Sequence, residues 1–301
     1  MRIFNSENVT KQFSAGGFAL QNISVELNAG KITGVVGENG NGKTTLLRII
    51  AGDLSIDKGE LNYFGRDYTA SDFSWDWAKT KIAYIPQRIP RWYGALRDNL
   101  IFEATIRNIK GKEADELIDN LVRKLGLQEY IHLKWKEIST GYRLRFQLAK
   151  MLIGSPELLV LDEPIANLDI NAQAKFLGDL RDIVSDTERK VSVILSSQQL
   201  HEIENVSDSI VFLKKGKMIY GGEISKIGED RTENEFEMQG EFTLNQLEEI
   251  FGNAIISKVG KTFTVKVPLE ISGEDFLKTL LDKDCKISYF RNISSSTRKL
   301  F

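Results

Sequence analysis

Two apolar runs in this chain stop abruptly, each where the pattern of side chains changes. The first, residues 31–36 (KITGVV), reads as a β-strand that meets Gly37; beyond a glycine-rich stretch, Leu46, Leu47 and Ile50 recur at helical spacing until Gly52. The second, residues 158–161 (LLVL), lies between Pro156 and Pro164 and ends in the adjacent carboxylates Asp162 and Glu163. A continuous run without alternation suits a strand covered on both faces of a parallel sheet. Its two acids then emerge at the carboxyl end, where open α/β sheets gather ligands. Residues 88–153 read as mostly helical. Leu117, Leu121 and Leu125 stand at four-residue steps, and Leu144, Leu148, Met151 and Leu152 form an amphipathic stripe with Arg143, Gln147 and Lys150 on another face. Past residue 226 the order becomes strand (236–238), helix (243–251, capped by Thr243), strand (255–259), strand (262–267), helix (273–281) and strand (286–290). Ser272 heads the second of these helices with Glu274 and Asp275 in its first turn, and a short helix is expected in 294–301. The βαββαβ order predicts a small ferredoxin-like α+β domain over 226–301, following an α/β domain over 1–225.

Composition narrows the class without naming a chemistry. The 301 residues are 42% hydrophobic and 27% charged, ordinary values for a globular chain that folds without staples. The opening MRIFNSENVT holds no apolar stretch of the kind an export signal needs, and no run approaches the roughly 18 apolar residues of a membrane helix. A single cysteine, Cys285, can form no internal disulfide and no cysteine-based zinc cluster; it reads as a small apolar residue near a strand. With 40 basic and 42 acidic side chains the net charge is −2, which leaves no polybasic footprint for nucleic acid or lipid. The two histidines, His132 and His201, read as surface residues.

Chemistry enters through the stretch after the first run. Gly37, then Gly42-Lys43-Thr44 five residues on, gives the spacing GxxxxGKT between a strand and a helix. Glycines let backbone N–H groups turn inward around phosphate oxygens, and the helix that follows aims its positive end at the same anion. The candidate nucleotide-binding set is Gly37, Asn39, Gly40, Asn41, Gly42, Lys43, Thr44 and Thr45, with Lys43 on the β- and γ-phosphates and the Thr44 hydroxyl on Mg²⁺. ATP and Mg²⁺ are the expected ligands. In P-loop NTPases an acid ending a second apolar strand holds the Mg²⁺. That position is Asp162 here, and Glu163 is then placed to polarise an attacking water.

The stretch EISTGYRLRFQLAKMLIGSPELLVLDEP resembles the signature helix of the ABC ATPases, whose motif falls on Ile138-Ser139-Thr140-Gly141-Tyr142. Thr140 and Tyr142 depart from the family's glycine and glutamine, while Ser139 and Gly141 keep its hydroxyl and close-approach positions. The resemblance covers about residues 1–225 and implies a P-loop NTPase core with a helical subdomain near 88–153. It implies that Phe13 stacks on adenine, although a phenylalanine there is also a common core residue. Gln87, after IAYIPQ, matches the glutamine that senses Mg²⁺ and water; Asn167, Leu168 and Asp169 stand for the loop that crosses between subunits; and Gln198 takes the place of the family's histidine. Ser139 would act on a nucleotide held by a second copy of the chain, and a separate polytopic membrane subunit would dock in the helical subdomain. Trp92 and Tyr93 read equally as an anchor for that subunit or as core.

The function so implied is the ATP-hydrolysing subunit of a transporter, more in keeping with export, cytoplasmic and held at the inner face of the membrane by its partner. The C-terminal residues would serve dimer or regulatory contacts. One alternative is a soluble ABC ATPase acting on nucleic acid or ribosomes, against which stand a single set of motifs, no heptad insertion and no basic stripe. The other is a weakly hydrolysing regulatory module, motivated by Thr140, Tyr142 and Gln198.

Overall fold

The computed structural model describes residues 1–13, 17–186, 190–226, 232–252 and 254–294. The chain divides into two compact units, Met1–Ile224 and Ser225–Phe301. In the first, the chain order is β1 (Arg2–Phe13), β2 (Gly17–Asn28), β3 (Ile32–Val36), α1 (Lys43–Ile50), β4 (Lys58–Tyr63), β5 (Arg66–Asp67), α2 (Trp75–Lys81) and β6 (Ile82–Ile85). It continues with α3 (Leu96–Ile106), α4 (Lys112–Lys124), α5 (Thr140–Leu152), β7 (Leu158–Leu161), α6 (Ile170–Ser185), β8 (Ser192–Ser197), β9 (Ser209–Lys214) and β10 (Lys217–Glu223).

A six-stranded sheet, ordered β10-β9-β3-β8-β7-β6, forms the centre. All its pairings are parallel except the β9–β10 hairpin. Every residue of β3, β7 and β8 is buried, as central strands of a doubly covered sheet must be. An antiparallel sheet, β2-β1-β4-β5, lies beside it. Phe4 and Tyr63 from the antiparallel sheet, Leu46, Leu47 and Ile50 from α1, and Val35 and Ile194 from the central sheet share one core. The Tyr63 hydroxyl donates to Ile49 O at 2.7 Å, so the largest side chain of that core is satisfied without water. Gly52 ends α1 at φ +72, where a Cβ would lie 2.4 Å from the Trp75 ring; both the left-handed backbone and the close approach require glycine.

Parallel register brings four carboxyl ends together. Val36 is level with Ser197, Leu161 with Leu195, and Ile85 with Leu161. Gly37, Asp162, Gln198 and, two residues past β6, Gln87 therefore emerge along one rim of the sheet.

Helices α3, α4 and α5 and two short 3-10 turns, Gln128–Tyr130 and Trp135–Glu137, lie between residues 88 and 153. Leu121 and Leu125 of the expected leucine row are buried, together with Ala114, Ile118 and Val122, while Leu117 is half-buried at the margin of that face. Ser139 caps α5 by accepting the Tyr142 N–H at 3.4 Å, and Asp169 caps α6 by accepting the Ala172 N–H at 2.9 Å. One expectation for α5 fails: Gln147 is buried, 5% exposed, and does not share a polar face with Arg143 and Lys150. It accepts the indole N–H of Trp92 at 3.1 Å, a partner that helical periodicity cannot reveal. Arg145, unremarked in the sequence pattern, is also buried and binds Asp179 on α6 at 2.6 Å. Burial pushes the Asp179 pKa up despite that guanidinium.

The second unit contains β11 (Glu233–Glu241), α7 (Leu244–Phe251), β12 (Ile255–Val259), β13 (Thr262–Pro268), α8 (Gly273–Asp282) and β14 (Lys286–Asn292). Its sheet is antiparallel throughout, ordered β12-β13-β11-β14, which is the ferredoxin-like arrangement predicted by the βαββαβ pattern. Thr243 caps α7 in a reciprocal box with Gln246, and Ser272 caps α8. Phe236, Phe263, Phe276 and Leu280 make its core, and the Cys285 thiol is buried there, which raises its pKa. The helix expected over 294–301 lies, from residue 295 on, outside the described residues.

Candidate nucleotide site

The loop between β3 and α1 is a cradle closed from behind. A Cβ on Gly37 would sit 2.5 Å from Leu213 O, and one on Gly42, at φ +98, would sit 2.5 Å from Ala19 O. Only glycine fits either position, because the obstacle is backbone. The Asn41 side chain turns onto the β9–β10 hairpin, where its Oδ1 accepts the Lys215 N–H at 2.8 Å. Asn41 thus fastens the loop with its side chain. Asn39, Gly40 and Thr44 are exposed and Thr45 is half-buried. Lys43 is 4% exposed and its ammonium lies inside the turn, 2.6 Å from Gly37 O and 3.2 Å from Glu38 O.

The same ammonium lies 3.0 Å from Glu163 Oε1. The other oxygen, Oε2, accepts from two amides, Gln87 Nε2 at 3.0 Å and Gln198 Nε2 at 2.9 Å. Residues far apart in the chain, Lys43, Gln87, Glu163 and Gln198, therefore meet on one carboxylate. Glu163 holds φ +44, a left-handed backbone that costs a non-glycine residue about 1–3 kcal/mol and persists only where surroundings enforce it. Enforcement comes from Ser196, fully buried at the end of β8. Its Oγ accepts the Glu163 N–H at 2.8 Å and donates to Asp162 Oδ1 at 2.9 Å. Sequence reading assigned Ser196 no part in the site; the available signal was a hydroxyl interrupting the aliphatic run of SVILSS. Tyr84, on the neighbouring strand, has its pKa pushed up to about 12 by burial and by the Asp162 carboxylate beside it.

These residues fit ATP with a divalent ion. The glycine loop, seated too closely on Leu213 O and Ala19 O to bear side chains at 37 and 42, suits an approaching phosphate chain, and the exposed Thr44 hydroxyl, the buried Asp162 carboxylate and the Gln87 amide offer hard oxygen donors. Mg²⁺ keeps several waters and takes one or two carboxylates plus substrate phosphates. Among the described residues no group of three or more His, Cys, Asp or Glu side chains could hold a metal ion.

A second group gathers around the start of α5. A Cβ on Gly141 would lie 3.3 Å from Ala172 Cβ and 4.0 Å from Leu168 Cδ2, so the turn that carries Ser139 is packed on the segment from Asn167 to Asp169. Tyr142 rests against Tyr130 with ring centroids 3.8 Å apart, while Thr140 is exposed in the first turn of α5. Phe13 ends β1, 45% exposed, which argues against the core reading of that side chain. The two aromatics expected to act together are divided: Trp92 is 8% exposed and stacked on Trp135, whereas Tyr93 is 87% exposed. Trp92 is core; Tyr93 alone can meet a partner. His132 and His201 are exposed. No helix among the described residues is long and apolar enough to cross a membrane.

Residues 20–166 match the family described as ABC transporter. The ABC transporter ATP-binding protein MJ1023 of Methanocaldococcus jannaschii, uncharacterized, is 34% identical over 228 residues, 73% of this chain and 78% of that one. YxlF of Bacillus subtilis, an uncharacterized ABC transporter ATP-binding protein, is 26% identical over 287 residues, 94% of this chain and 93% of its own length. Among solved structures, cbiO1 of Clostridium perfringens, part of the ABC transporter complex cbiONQ, shares the fold with a TM-score of 0.68 at 22% identity, over 76% of this chain and 96% of that one. Cradle, strand-end acids, signature turn and sequence kinship agree, and the chain belongs to the ATP-binding subunits of ABC transporters, a family of ATPases.

Proposed function

We propose that this chain binds ATP with Mg²⁺ in the loop from Gly37 to Thr45, hydrolyses it with Glu163 as base, and does so as a homodimer that drives a separate membrane-spanning subunit. The observation that carries the reading is the meeting of Lys43, Gln87 and Gln198 on the Glu163 carboxylate. Phosphate oxygens entering the cradle compete with Glu163 for the Lys43 ammonium, so nucleotide binding releases Oε1 toward the γ-phosphate. Glu163 then takes a proton from a water molecule while the water oxygen bonds to the γ-phosphorus and the bond from that phosphorus to the β,γ-bridging oxygen breaks, leaving phosphate and ADP. Gln87 and Gln198 hold the other carboxylate oxygen in place while this happens. Thr44 and Asp162 would hold Mg²⁺, which supplies positive charge to the β- and γ-oxygens. Phe13, exposed at the end of β1, would lie against the base.

Ser139 and Gly141 lie at the start of α5, in a group of their own, packed with α6. This suits a role on the nucleotide of a second copy, with the free N–H groups of α5 facing its γ-phosphate. Tyr93, Phe102 (64% exposed) and Ile106 (61% exposed) leave apolar surface on and before α3, and support docking of the membrane subunit there. That partner would place the chain at the inner face of the membrane. Export is the direction we infer, since a small separate C-terminal unit resembles those of single-ATPase exporter subunits; ATP-driven uptake by the reconstituted complex would overturn it.

Lys43→Ala is expected to abolish ATP binding. Glu163→Gln is expected to bind ATP, turn it over very slowly and accumulate as a dimer. Sizing of Glu163→Gln with ATP and Mg²⁺ checks the composite site: a monomer at saturating nucleotide sinks it.

A further inference from the structure

Trp92 belongs to the loop that carries Gln87, five residues further along the chain, yet its hydrogen bond and ring contacts go to α5 and the turn before it. The indole N–H donates to Gln147 Oε1 at 3.1 Å, and both residues are buried. The ring stacks on Trp135 with centroids 5.0 Å apart and planes 25° from parallel. Trp135 opens the 3-10 turn that leads directly to Ile138 and the α5 cap, Ser139. Its carbonyl accepts Arg143 Nε at 3.0 Å, a bond that ties the turn to the first turn of α5. Lys150, a turn below Gln147, places its ammonium 5.7 Å over the Trp92 ring and 3.5 Å from the buried Glu103 of α3.

A buried hydroxyl or amide in such a place is ordinary packing when it joins neighbours in one element. Here one indole joins two functional segments: at one end of its loop Gln87 touches the Glu163 carboxylate, and at the other Trp92 is bonded to the body of α5 and stacked on its lead-in. We infer that Trp92 is a positioning residue, which sets Ser139 at the start of α5 against the loop that carries Gln87. The placing of Ser139 and the placing of the loop that reaches Glu163 then depend on the same side chain. The inference rests on the composite-site reading of Ser139 and Glu163.

Trp92→Phe keeps an aromatic ring against Trp135 but removes the donor, leaving Gln147 Oε1 buried without a partner. Trp92→Phe combined with Gln147→Leu removes both ends of the bond, which restores packing without restoring the link. ATP affinity of the full-length chain, measured with Mg²⁺, is expected to stay within about twofold of the parent in both, because neither residue touches the cradle. In Trp92→Phe, kcat is expected to fall roughly three- to tenfold, the worth of one hydrogen bond, and Tm to fall as well. The double variant is expected to recover Tm but not kcat. In the Glu163→Gln background, Trp92→Phe should raise the protein concentration needed for the ATP-dependent dimer. Recovery of kcat together with Tm in the double variant, or unchanged kcat in Trp92→Phe, overturns the proposal. If Glu163→Gln alone dimerises normally while those results appear, the composite site stands and only Trp92 is refuted; if Glu163→Gln does not dimerise, the underlying reading falls first.

Discussion

Glu163 is the residue on which the site turns, and its environment explains why a glutamine can stand where the family carries a histidine. A histidine would add charge when protonated; Gln198 supplies a neutral donor, and a second neutral donor, Gln87, reaches the same oxygen. Because the two are redundant on Oε2, Gln198→Ala is expected to lower kcat by about tenfold, less than the 10²- to 10³-fold typical of losing a sole preorganised donor, with ATP affinity retained. An unchanged kcat in Gln198→Ala would make Gln198 a bystander. Ser196 offers a sharper case. Its hydroxyl both accepts the Glu163 N–H and donates to Asp162, so Ser196→Ala strands a buried N–H beneath a left-handed residue. A loss of about 1–3 kcal/mol in denaturant unfolding, together with a lower kcat, is expected; a silent variant would show that Glu163 keeps its backbone geometry without help.

At the scale of elements, the site depends on strands being held level. Asp208, just before β9, accepts the Ile32 N–H at 2.8 Å and Arg181 Nη1 at 3.2 Å, with Lys31 Nζ at 3.4 Å, and so pins the start of β9 to the start of β3. Partial burial pushes its pKa up, but the Ile32 N–H and the two cations outweigh this, and the net shift is downward. A carboxylate whose folded pKa lies below its unfolded value stabilises the fold above the unfolded value, near 3.9, and loses that contribution as pH falls through the folded pKa. Asp208→Asn is therefore expected to cost about 1 kcal/mol at pH 7, with parent and variant converging below about pH 4 in parallel urea titrations. A constant difference across that range would assign the cost to packing. The elements themselves are legible in the sequence: β3 as a β-type run that meets Gly37, β7 as an unbroken aliphatic run, α1 from its glycine stop, α7 and α8 from their Thr and Ser caps. The face of α5 is not, because Gln147 is polar by type and its hydrogen-bond partner, Trp92, lies 55 residues away along the chain.

For the whole molecule, the exposed aromatic and aliphatic side chains on and before α3 set an expectation for assembly. Substituting Tyr93 and Phe102 together by Ser should weaken co-purification with the membrane subunit while leaving ATP binding and basal hydrolysis unchanged, since neither touches the cradle; undiminished co-purification would place the docking surface elsewhere. What the sequence determined by itself was whatever local chemistry demands. Glycine at 37 and 42, a lysine and hydroxyl at a helix start, two acids ending an apolar run, and a βαββαβ order each follow from the residue types and their spacing. Only tertiary structure decided which distant residues share an atom. It put Gln87, Gln198 and Lys43 on one carboxylate, made Ser196 the brace of Glu163, and separated Trp92 from Tyr93, one turned inward and the next outward. The physical reason is that hydrogen-bond partners and burial depend on the parallel register of strands far apart in sequence, and no single stretch of the chain carries that register.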